Sequence, residues 1–205
     1  MKRLFLFDVD STLINEEVID LIGAKAGLSA EISAITDQAM LGQLDFNTAL
    51  LKRVELLAGL DIEVLDEVRS EITFTNGATE LIAELQAIGD QVAVVSGGFM
   101  EVIAPIMKLL SIEFFKANSF EIQDDKLTGR VTGEIINRSA KVKFLNDLKS
   151  QLNPLQTIAI GDGANDIEMI TEADIGIAFC AKPALKEVAD VIIDQRDLRE
   201  ILNYL

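Results

Sequence analysis

Residues 4–13 read LFLFDVDSTL, and this stretch decides the fold. The apolar run from Leu4 to Phe7 predicts a strand that is buried on both faces of a parallel sheet. Asp8 and Asp10 follow directly, at the edge where open α/β sheets bind ligands. Because two carboxylates this close repel each other, a cation or a proton must stabilise them. The stretch therefore predicts a metal site and carboxylate chemistry.

Beyond residue 75, strand-like runs alternate with amphipathic segments, which predicts an α/β fold with a doubly wound parallel sheet. Between residues 14 and 74, apolar residues at three- and four-residue spacing predict four short helices. These would form a small helical bundle that is inserted after the first strand and is placed to act as a cap. Residues 119–135 alternate apolar and polar side chains and predict a β-hairpin flap. We therefore expect a catalytic α/β core of residues 1–13 and 75–205 and a helical cap domain of residues 14–74.

Composition excludes several classes of protein. The 205 residues include no histidine, so Ser-His-Asp triads, Cys-His pairs and histidine zinc sites are excluded. The net charge of -16 argues against a nucleic-acid partner, which needs a basic stripe. One cysteine permits no intrachain disulfide, and no apolar run is long enough for a signal peptide or a membrane span. We expect a cytoplasmic protein without a membrane partner.

A second strand end carries groups suited to an anion. In VAVVSGGF, residues 92–99, Ser96 follows an apolar run, and Gly97 and Gly98 allow the backbone to approach a ligand. A hydroxyl, unobstructed N–H groups and the start of a helix together form an anion site. A plain tight turn is the alternative that the residues leave open.

Two more segments complete the set. In TIAIGDGANDIEM, residues 157–169, Asp162 and Asp166 lie around Asn165 just past a buried strand, which suits a hard cation such as Mg²⁺. The alternative is that Asp162 or Asn165 merely caps the helix. Lys141 begins a helix in NRSAKVKFL, and from the residues alone a solvated surface lysine is the simpler interpretation.

Taken in order, FDVDSTL, VVSGGF, Lys141 and GDGANDIEM resemble the motifs of the haloacid dehalogenase superfamily of aspartate-nucleophile phosphatases. The resemblance covers the whole chain. Within the superfamily the chain is similar to members that hydrolyse O-phospho-L-serine to L-serine and phosphate, the last step of serine biosynthesis. That similarity rests on INEEVID (14–20), AMLGQLDF (39–46), KRVELL (52–57) and IAFCAKPALKEVAD (177–190).

The resemblance implies a role for each motif residue. Asp8 would be the nucleophile, which forms an aspartyl-phosphate, and Asp10 the general acid and then base. Catalysis would also use Ser96 and Lys141, and Mg²⁺ would be the cofactor. The implied metal residues are Asp8, Asp10 through its backbone carbonyl, Asp162 and Asp166. The implied phosphate-binding residues are Ser96, Gly97, Gly98 and Lys141, with Asn165 anchoring Lys141 or the substrate.

The cap would supply specificity. Arg53 and Phe46 share one apolar stripe of the third predicted helix, so the arginine should face inward and meet an anion. The resemblance makes that anion the substrate carboxylate, while an arginine at the edge of the bundle is the alternative. Glu17 would bind the substrate ammonium, and Met40 and Phe46 would be apolar walls of the pocket, although core packing would explain both equally well.

Two rival functions stay open at this point. A sibling enzyme could apply the same chemistry to another small phosphomonoester, such as phosphohomoserine, or transfer the phosphate to an alcohol. A non-catalytic module could bind a phosphorylated ligand, but such a module need not keep both Asp8 and Asp10. The sequence leaves the oligomeric state open between monomer and homodimer.

Overall fold

The computed structural model describes residues 2–41 and 43–204, and of Met40 it describes only the backbone. Its strands are β1 (Leu4–Phe7), β2 (Gln91–Phe99), β3 (Phe114–Gln123), β4 (Lys126–Thr132), β5 (Thr157–Gly161), β6 (Ile175–Phe179) and β7 (Val191–Ile193). Its helices are α1 (Val18–Lys25), α2 (Ser29–Met40), α3 (Phe46–Glu55), α4 (Glu63–Glu71), α5 (Ala78–Ala87), α6 (Met100–Leu109), α7 (Arg138–Leu152), α8 (Ile167–Glu172) and α9 (Pro183–Lys186). A wide turn spans Val9–Leu13, and 3₁₀ turns span Ala164–Asp166 and Leu198–Tyr204.

The strands in the described residues form one sheet in the order β4-β3-β2-β1-β5-β6-β7. All neighbouring pairs are parallel except β3 with β4. The central strand β1 is buried on both faces, because Phe5 and Phe7 enter one apolar cluster while Leu4 and Leu6 enter the other. Helices therefore cover both faces, and the predicted doubly wound α/β fold is confirmed.

The hairpin differs in one respect from its sequence-based expectation. The sequence pattern predicts a hairpin flap that begins at residue 119, but β3 runs without a break from Phe114 to Gln123. It pairs in parallel with β2 as far as Asn118 and then antiparallel with β4 from Ser119 onward. The strand changes partners without ending, so no turn signal separates its two halves.

The helices α1 to α4, with their connections, form the unit that we call the cap. The chain enters and leaves it through two adjacent segments, because Ile14 and Phe74 form an antiparallel bridge. The N–H of Thr75 also donates to the carbonyl of Leu13 at 3.0 Å. We propose that residues 14–74 are one domain and residues 1–13 with 75–205 the other.

The cap is also bonded to the β3–β4 hairpin. The N–H of Gly59 donates to the carbonyl of Leu127 at 2.8 Å, and the N–H of Leu127 donates to the carbonyl of Leu60 at 2.9 Å. A Cβ on Gly129 would lie 2.9 Å from the Ala58 methyl, so the two backbones pack at a distance that only glycine allows. Local sequence patterns do not predict these contacts between distant segments.

Within residues 2–41 and 43–204, no helix has both the length and the apolar character needed to cross a bilayer.

Candidate active site

The predicted site residues meet at one edge of the sheet. Strands β1, β2 and β5 are parallel neighbours, so their carboxyl ends lie side by side. A pocket of about 390 Å³ opens there between the core and the cap. The predicted residues that line it are Asp8, Asp10, Glu17, Phe46, Arg53, Gly97, Gly98, Asp162 and Asn165. Three others, Ser96, Lys141 and Asp166, have no exposed surface.

Lys141 is the centre of a buried ion-pair network. Its Nζ lies 2.6 Å from Asp8 Oδ1 and 2.6 Å from Asp166 Oδ1, and neither Lys141 nor Asp166 is exposed. The surface-lysine interpretation is therefore wrong. The position follows from α7, whose first turn is capped by the Asn137 side chain accepting from the Ala140 N–H at 3.1 Å. An ammonium has three N–H donors, and these two carboxylates take up only two of them.

Asp166 is bonded on both of its oxygens. Oδ1 accepts from Lys141, while Oδ2 accepts from the N–H of Gly163 at 3.0 Å and of Asp162 at 3.2 Å. The Asp166 carboxylate therefore fixes the turn after β5 as well as the lysine. Asp162 stays half-buried and lines the pocket. The two aspartates of this motif thus have different surroundings.

Burial dominates the electrostatics of the site. It raises the pKa of Asp8 well above its usual range, Asp166 adds repulsion, and Lys141 opposes both. Burial and Asp166 likewise raise the pKa of Asp162 to about 7. Burial lowers the pKa of Lys141, but the carboxylates of Asp166 and Asp8 outweigh it, and the net shift is upward. The lysine is therefore held charged, and the site still carries excess negative charge.

The carboxylates fit a hard cation. Oxygens of Asp8, Asp162 and Asp166 all lie within 4.8 Å of one another. Carboxylate oxygens are the ligands that hard divalent cations prefer, and such a cation would offset the repulsion that raises the pKa values of Asp8 and Asp162. The carbonyl oxygen of Asp10, the remaining predicted ligand, belongs to the same strand-end turn as Asp8.

The wide turn after β1 sets the position of Asp10. Asp10 has extended backbone angles, and Ser11 has a φ of 58°, in the left-handed region. The Ser11 hydroxyl donates to Glu17 Oε1 at 2.8 Å. Within the described residues, Asp10 Oδ1 is buried and has no hydrogen-bond partner. Burial first, then Glu17 and Asp8, raise the pKa of Asp10, which favours the protonated carboxyl.

The turn at residues 96–98 lies beside Asp10. The Gly98 N–H donates to Ser96 Oγ at 2.8 Å, so that oxygen is an acceptor and its own proton can be donated elsewhere. A Cβ on Gly97 would lie 3.2 Å from the Phe46 ring, which places the cap directly over this turn. A Cβ on Gly98 would lie 3.3 Å from Asp10 Oδ2.

Arg53 projects into the pocket from α3, as predicted. Its Nε donates to the Ala49 carbonyl at 3.2 Å, and its Nη1 donates to Thr36 Oγ1 at 3.4 Å. Burial lowers the pKa of Arg53, and Asp20 and Glu17 oppose that shift. Glu17 lines the same pocket from the start of α1. The side chain of Met40, the other predicted cap residue, lies outside the part of the chain that the structure describes.

The pocket also includes residues that sequence reasoning missed. The charged ones are Arg138, the first residue of α7, and Lys182, which follows β6. Lys182 donates its backbone N–H to the Asp162 carbonyl at 2.9 Å, and its charge opposes the rise in the pKa of Asp162. Its position just past the carboxyl end of β6 was the sequence signal that could have identified Lys182 as a site residue. Asn165 lines the pocket, and no hydrogen bond in the described residues joins it to Lys141.

This arrangement of strand ends agrees with a family model. Residues 5–171 match the model of haloacid dehalogenase-like hydrolases. The chain belongs to this family. Membership in one hydrolase family thus explains the aspartates at the strand ends, the buried lysine and the helical insertion after the first strand.

Individual family members are similar over the whole chain. A phosphoserine phosphatase of Methanocaldococcus jannaschii is 48% identical over 206 residues, which cover 100% of this chain and 98% of that protein. A phosphoserine phosphatase of Streptomyces coelicolor is also 48% identical over 100% of this chain, but the chain spans about half of that relative's length (50%). A solved phospho-aspartyl intermediate analogue of phosphoserine phosphatase matches with a TM-score of 0.94 and 48% identity, covering 100% of this chain and 99% of the other.

Proposed function

We propose that this protein is a cytoplasmic, Mg²⁺-dependent phosphomonoesterase that hydrolyses O-phospho-L-serine to L-serine and phosphate, the last step of serine biosynthesis. The observation that carries the proposal is the buried bridge from Lys141 to Asp8 and Asp166 at 2.6 Å beside the pocket. The choice of phosphoserine as the substrate is inferred from the names of the similar proteins. The partner is a small molecule, and the net charge of -16 speaks against nucleic acid and anionic membranes.

In the first step, Asp8 attacks phosphorus and the bond from phosphorus to the serine oxygen breaks. The charge of Lys141 opposes the rise in the pKa of Asp8 and so favours the ionised form, which a nucleophilic carboxylate requires. Asp10 gives its proton to the leaving serine oxygen. Its raised pKa, and an Oδ1 that has no hydrogen-bond partner among the described residues, suit a carboxyl that starts the reaction protonated.

In the second step, Asp10 is a carboxylate and takes a proton from water. The oxygen of that water attacks phosphorus, and the bond from Asp8 to phosphorus breaks. Phosphate leaves, Asp8 is again a carboxylate, and Asp10 is again protonated. One residue thus acts as acid and then as base, which returns the site to its starting state.

The phosphate is held by groups already in place. The Ser96 hydroxyl, the N–H of Gly97 and the remaining N–H of Lys141 are donors beside the pocket, while Gly98, whose N–H is taken up by Ser96 Oγ, leaves room for the phosphate. Mg²⁺, held by Asp8, Asp162 and the Asp10 carbonyl with Asp166 behind them, would supply positive charge to the phosphoryl oxygens. These donors face the charge that develops during transfer.

The cap selects the substrate. Arg53 would bind the carboxylate and Glu17 the ammonium of the amino acid, while Phe46, Met40 and Asn165 would complete the pocket. A guanidinium fork matches a carboxylate in a bidentate pair. The two charges of opposite sign on this side of the pocket match the zwitterionic head of an amino acid.

A panel of phosphomonoesters tests the proposal. Phosphate release is measured with phosphoserine, phosphothreonine, phosphohomoserine, a sugar phosphate and p-nitrophenyl phosphate, with Mg²⁺ present. We expect phosphoserine to have the highest kcat/KM. A higher value for another ester would reject the substrate, and release from none would reject the enzymatic function. Transfer to added alcohol, measured as new ester, separates hydrolysis from phosphotransfer.

A further inference from the structure

We propose that Asn118 is a positioning residue that holds the phosphate-binding turn and the lysine-bearing helix in register. Asn118 lies in β3, is 1% exposed and does not line the pocket. Its Nδ2 donates to the Gly97 carbonyl at 2.8 Å, and its Oδ1 accepts from the Ile136 N–H at 2.8 Å. One side chain therefore joins two segments that carry phosphate donors.

The need for this side chain arises from an irregularity in the sheet. Strands β2 and β3 pair from Ala93 to Val95 and again at Phe99 with Asn118. Between the last two pairs, β2 has three residues and β3 has one, so residues 96–98 bulge out of the ladder. A bulge leaves main-chain groups without ladder partners, and buried groups of this kind need other partners.

Two side chains supply those partners on one peptide unit. The carbonyl of Gly97 accepts from Asn118, and the N–H of Gly98, on the same peptide, donates to Ser96 Oγ. With both ends bonded, this peptide cannot rotate, although both of its residues are glycines. The orientation of the donors at residues 96–98 is therefore set partly from β3.

The second bond of Asn118 reaches α7. Ile136 is buried and lies just before Asn137, which caps the helix. The N–H of Lys141 donates to the Asn137 carbonyl at 3.0 Å, so the first turn of α7 is built directly on this segment. A shift of Ile136 would move Lys141 relative to Gly97.

The amide orientation is fixed by its partners. A carbonyl can only accept and an N–H can only donate, so Nδ2 must face Gly97 and Oδ1 must face Ile136. Among the variants, a protonated aspartic acid reproduces this pattern, because it has one O–H donor and one acceptor oxygen. An ionised aspartate does not, because it would turn an acceptor toward the Gly97 carbonyl.

The experiment compares Asn118→Leu and Asn118→Asp with wild type and with Gln86→Leu. Gln86 is a matched control, because its side-chain amide also donates to main-chain carbonyls, Leu110 at 3.1 Å and Ser111 at 3.2 Å, but near the amino end of β2. Each protein is assayed below its melting temperature with both phosphoserine and p-nitrophenyl phosphate.

We expect Asn118→Leu to lower kcat by about 10- to 100-fold for both substrates, with KM changed much less, because misplaced groups stabilise the transition state poorly. Gln86→Leu should lower the melting temperature but keep kcat near wild type. The ratio of the kcat of Asn118→Asp to the kcat of wild type should rise as the pH falls from about 8 to about 5.5, because the introduced carboxyl becomes protonated. Titrating groups common to both proteins, such as Glu101, Glu134 and the catalytic carboxyls, cancel in that ratio.

Wild-type kcat in Asn118→Leu, or in Asn118→Asp at about pH 8, where the carboxyl is ionised, would overturn the proposal. A ratio for Asn118→Asp that is constant with pH, or a variant that folds at no temperature, would do the same, since Asn118 would then serve only the fold. The inference rests on the proposed function only through the assay. If wild type cleaves p-nitrophenyl phosphate but not phosphoserine, the substrate assignment fails while the test of Asn118 still stands.

Discussion

The core end and the cap end of the pocket hold their charged side chains in different ways. At the core end, Lys141 and Asp166 are completely buried and pair at 2.6 Å. At the cap end, the hydrogen bonds of the Arg53 side chain in the described residues are those to Ala49 at 3.2 Å and Thr36 at 3.4 Å, both within the cap. Under the proposed function the chemistry is thus preorganised, whereas specificity depends on where the cap lies.

This contrast makes a general prediction about substrates. A change at the core end should impair every phosphomonoester alike, because the phosphoryl group is common to all. A change at the cap end should discriminate, because only some substrates carry a carboxylate and an ammonium group. Assays of phosphoserine and p-nitrophenyl phosphate side by side therefore distinguish the two ends of the pocket.

The largest effect is expected at Asp8. Asp8→Asn should lower kcat for both substrates by about four to six orders of magnitude, because an amide is a poor nucleophile and loss of a nucleophile costs this much in other enzymes. The acid-stable, hydroxylamine-labile phosphoenzyme should disappear as well. Asp147→Asn, an equal charge change at an exposed position of α7, is the control. Activity above about 1% of wild type in Asp8→Asn would exclude Asp8 as the nucleophile.

Removal of the metal should also abolish the hydrolysis of both substrates. We expect chelation to abolish activity, and Mg²⁺ at about 100 times its Kd to add about 2.7 kcal/mol to the free energy of unfolding. For a chain of this size that raises Tm by about 5–10 °C. The shift should vanish in Asp162→Asn and persist in Asp147→Asn, as measured by calorimetry. A shift that survives in Asp162→Asn would place the cation elsewhere.

At Arg53 the two substrates should separate. Arg53→Ala should lower kcat/KM for phosphoserine by about two orders of magnitude or more, because loss of one partner of a buried charge pair costs several kcal/mol. The aryl phosphate, which has no carboxylate, should be affected much less. Lys52→Ala removes a neighbouring cation from the exposed side of α3 and is the control. Equal losses for the two substrates would assign Arg53 to the phosphate or to the fold of the cap.

The smallest effect concerns a bond between the two ends. Asn137 Nδ2 donates to Asn47 Oδ1 at 3.1 Å, which links α7 to the cap helix α3 next to Phe46. Asn47→Ala should lower kcat/KM for phosphoserine about 3- to 10-fold, since one such bond contributes about 1 kcal/mol. Asn47→Asp keeps the acceptor and should stay near wild type. Identical kinetics in all three proteins would show that this bond does not hold the cap in place.

The sequence predicted the core end well, for a topological reason. Parallel strands bring their carboxyl ends to one edge, so Asp8, Ser96 and Asp162 could be assigned to one site from local patterns alone. Lys141 could not, because its burial depends on where α7 packs. Its residues favoured a surface position, and only the family resemblance placed it in the site.

What escaped prediction depends on contacts between distant segments. The bonds from Gly59 and Leu60 to Leu127 join residues far apart in the chain. The pairing of Asn118 with Gly97 and Ile136 follows from a bulge whose register involves two strands. Local periodicity carries no information about such register, so an asparagine inside a strand gives no signal of its role.

The hydrogen bonds between the cap and the edge strand β4 have a consequence for solubility. Strand β4 is at one edge of the sheet, and an exposed edge strand can pair with the edge of another molecule. Here both main-chain groups of Leu127 are occupied by Gly59 and Leu60 of the cap. The opposite edge, β7, is only three residues long. The cap therefore shields the β4 edge of the sheet from intermolecular pairing. A core expressed without the cap would expose this edge to other molecules and aggregate.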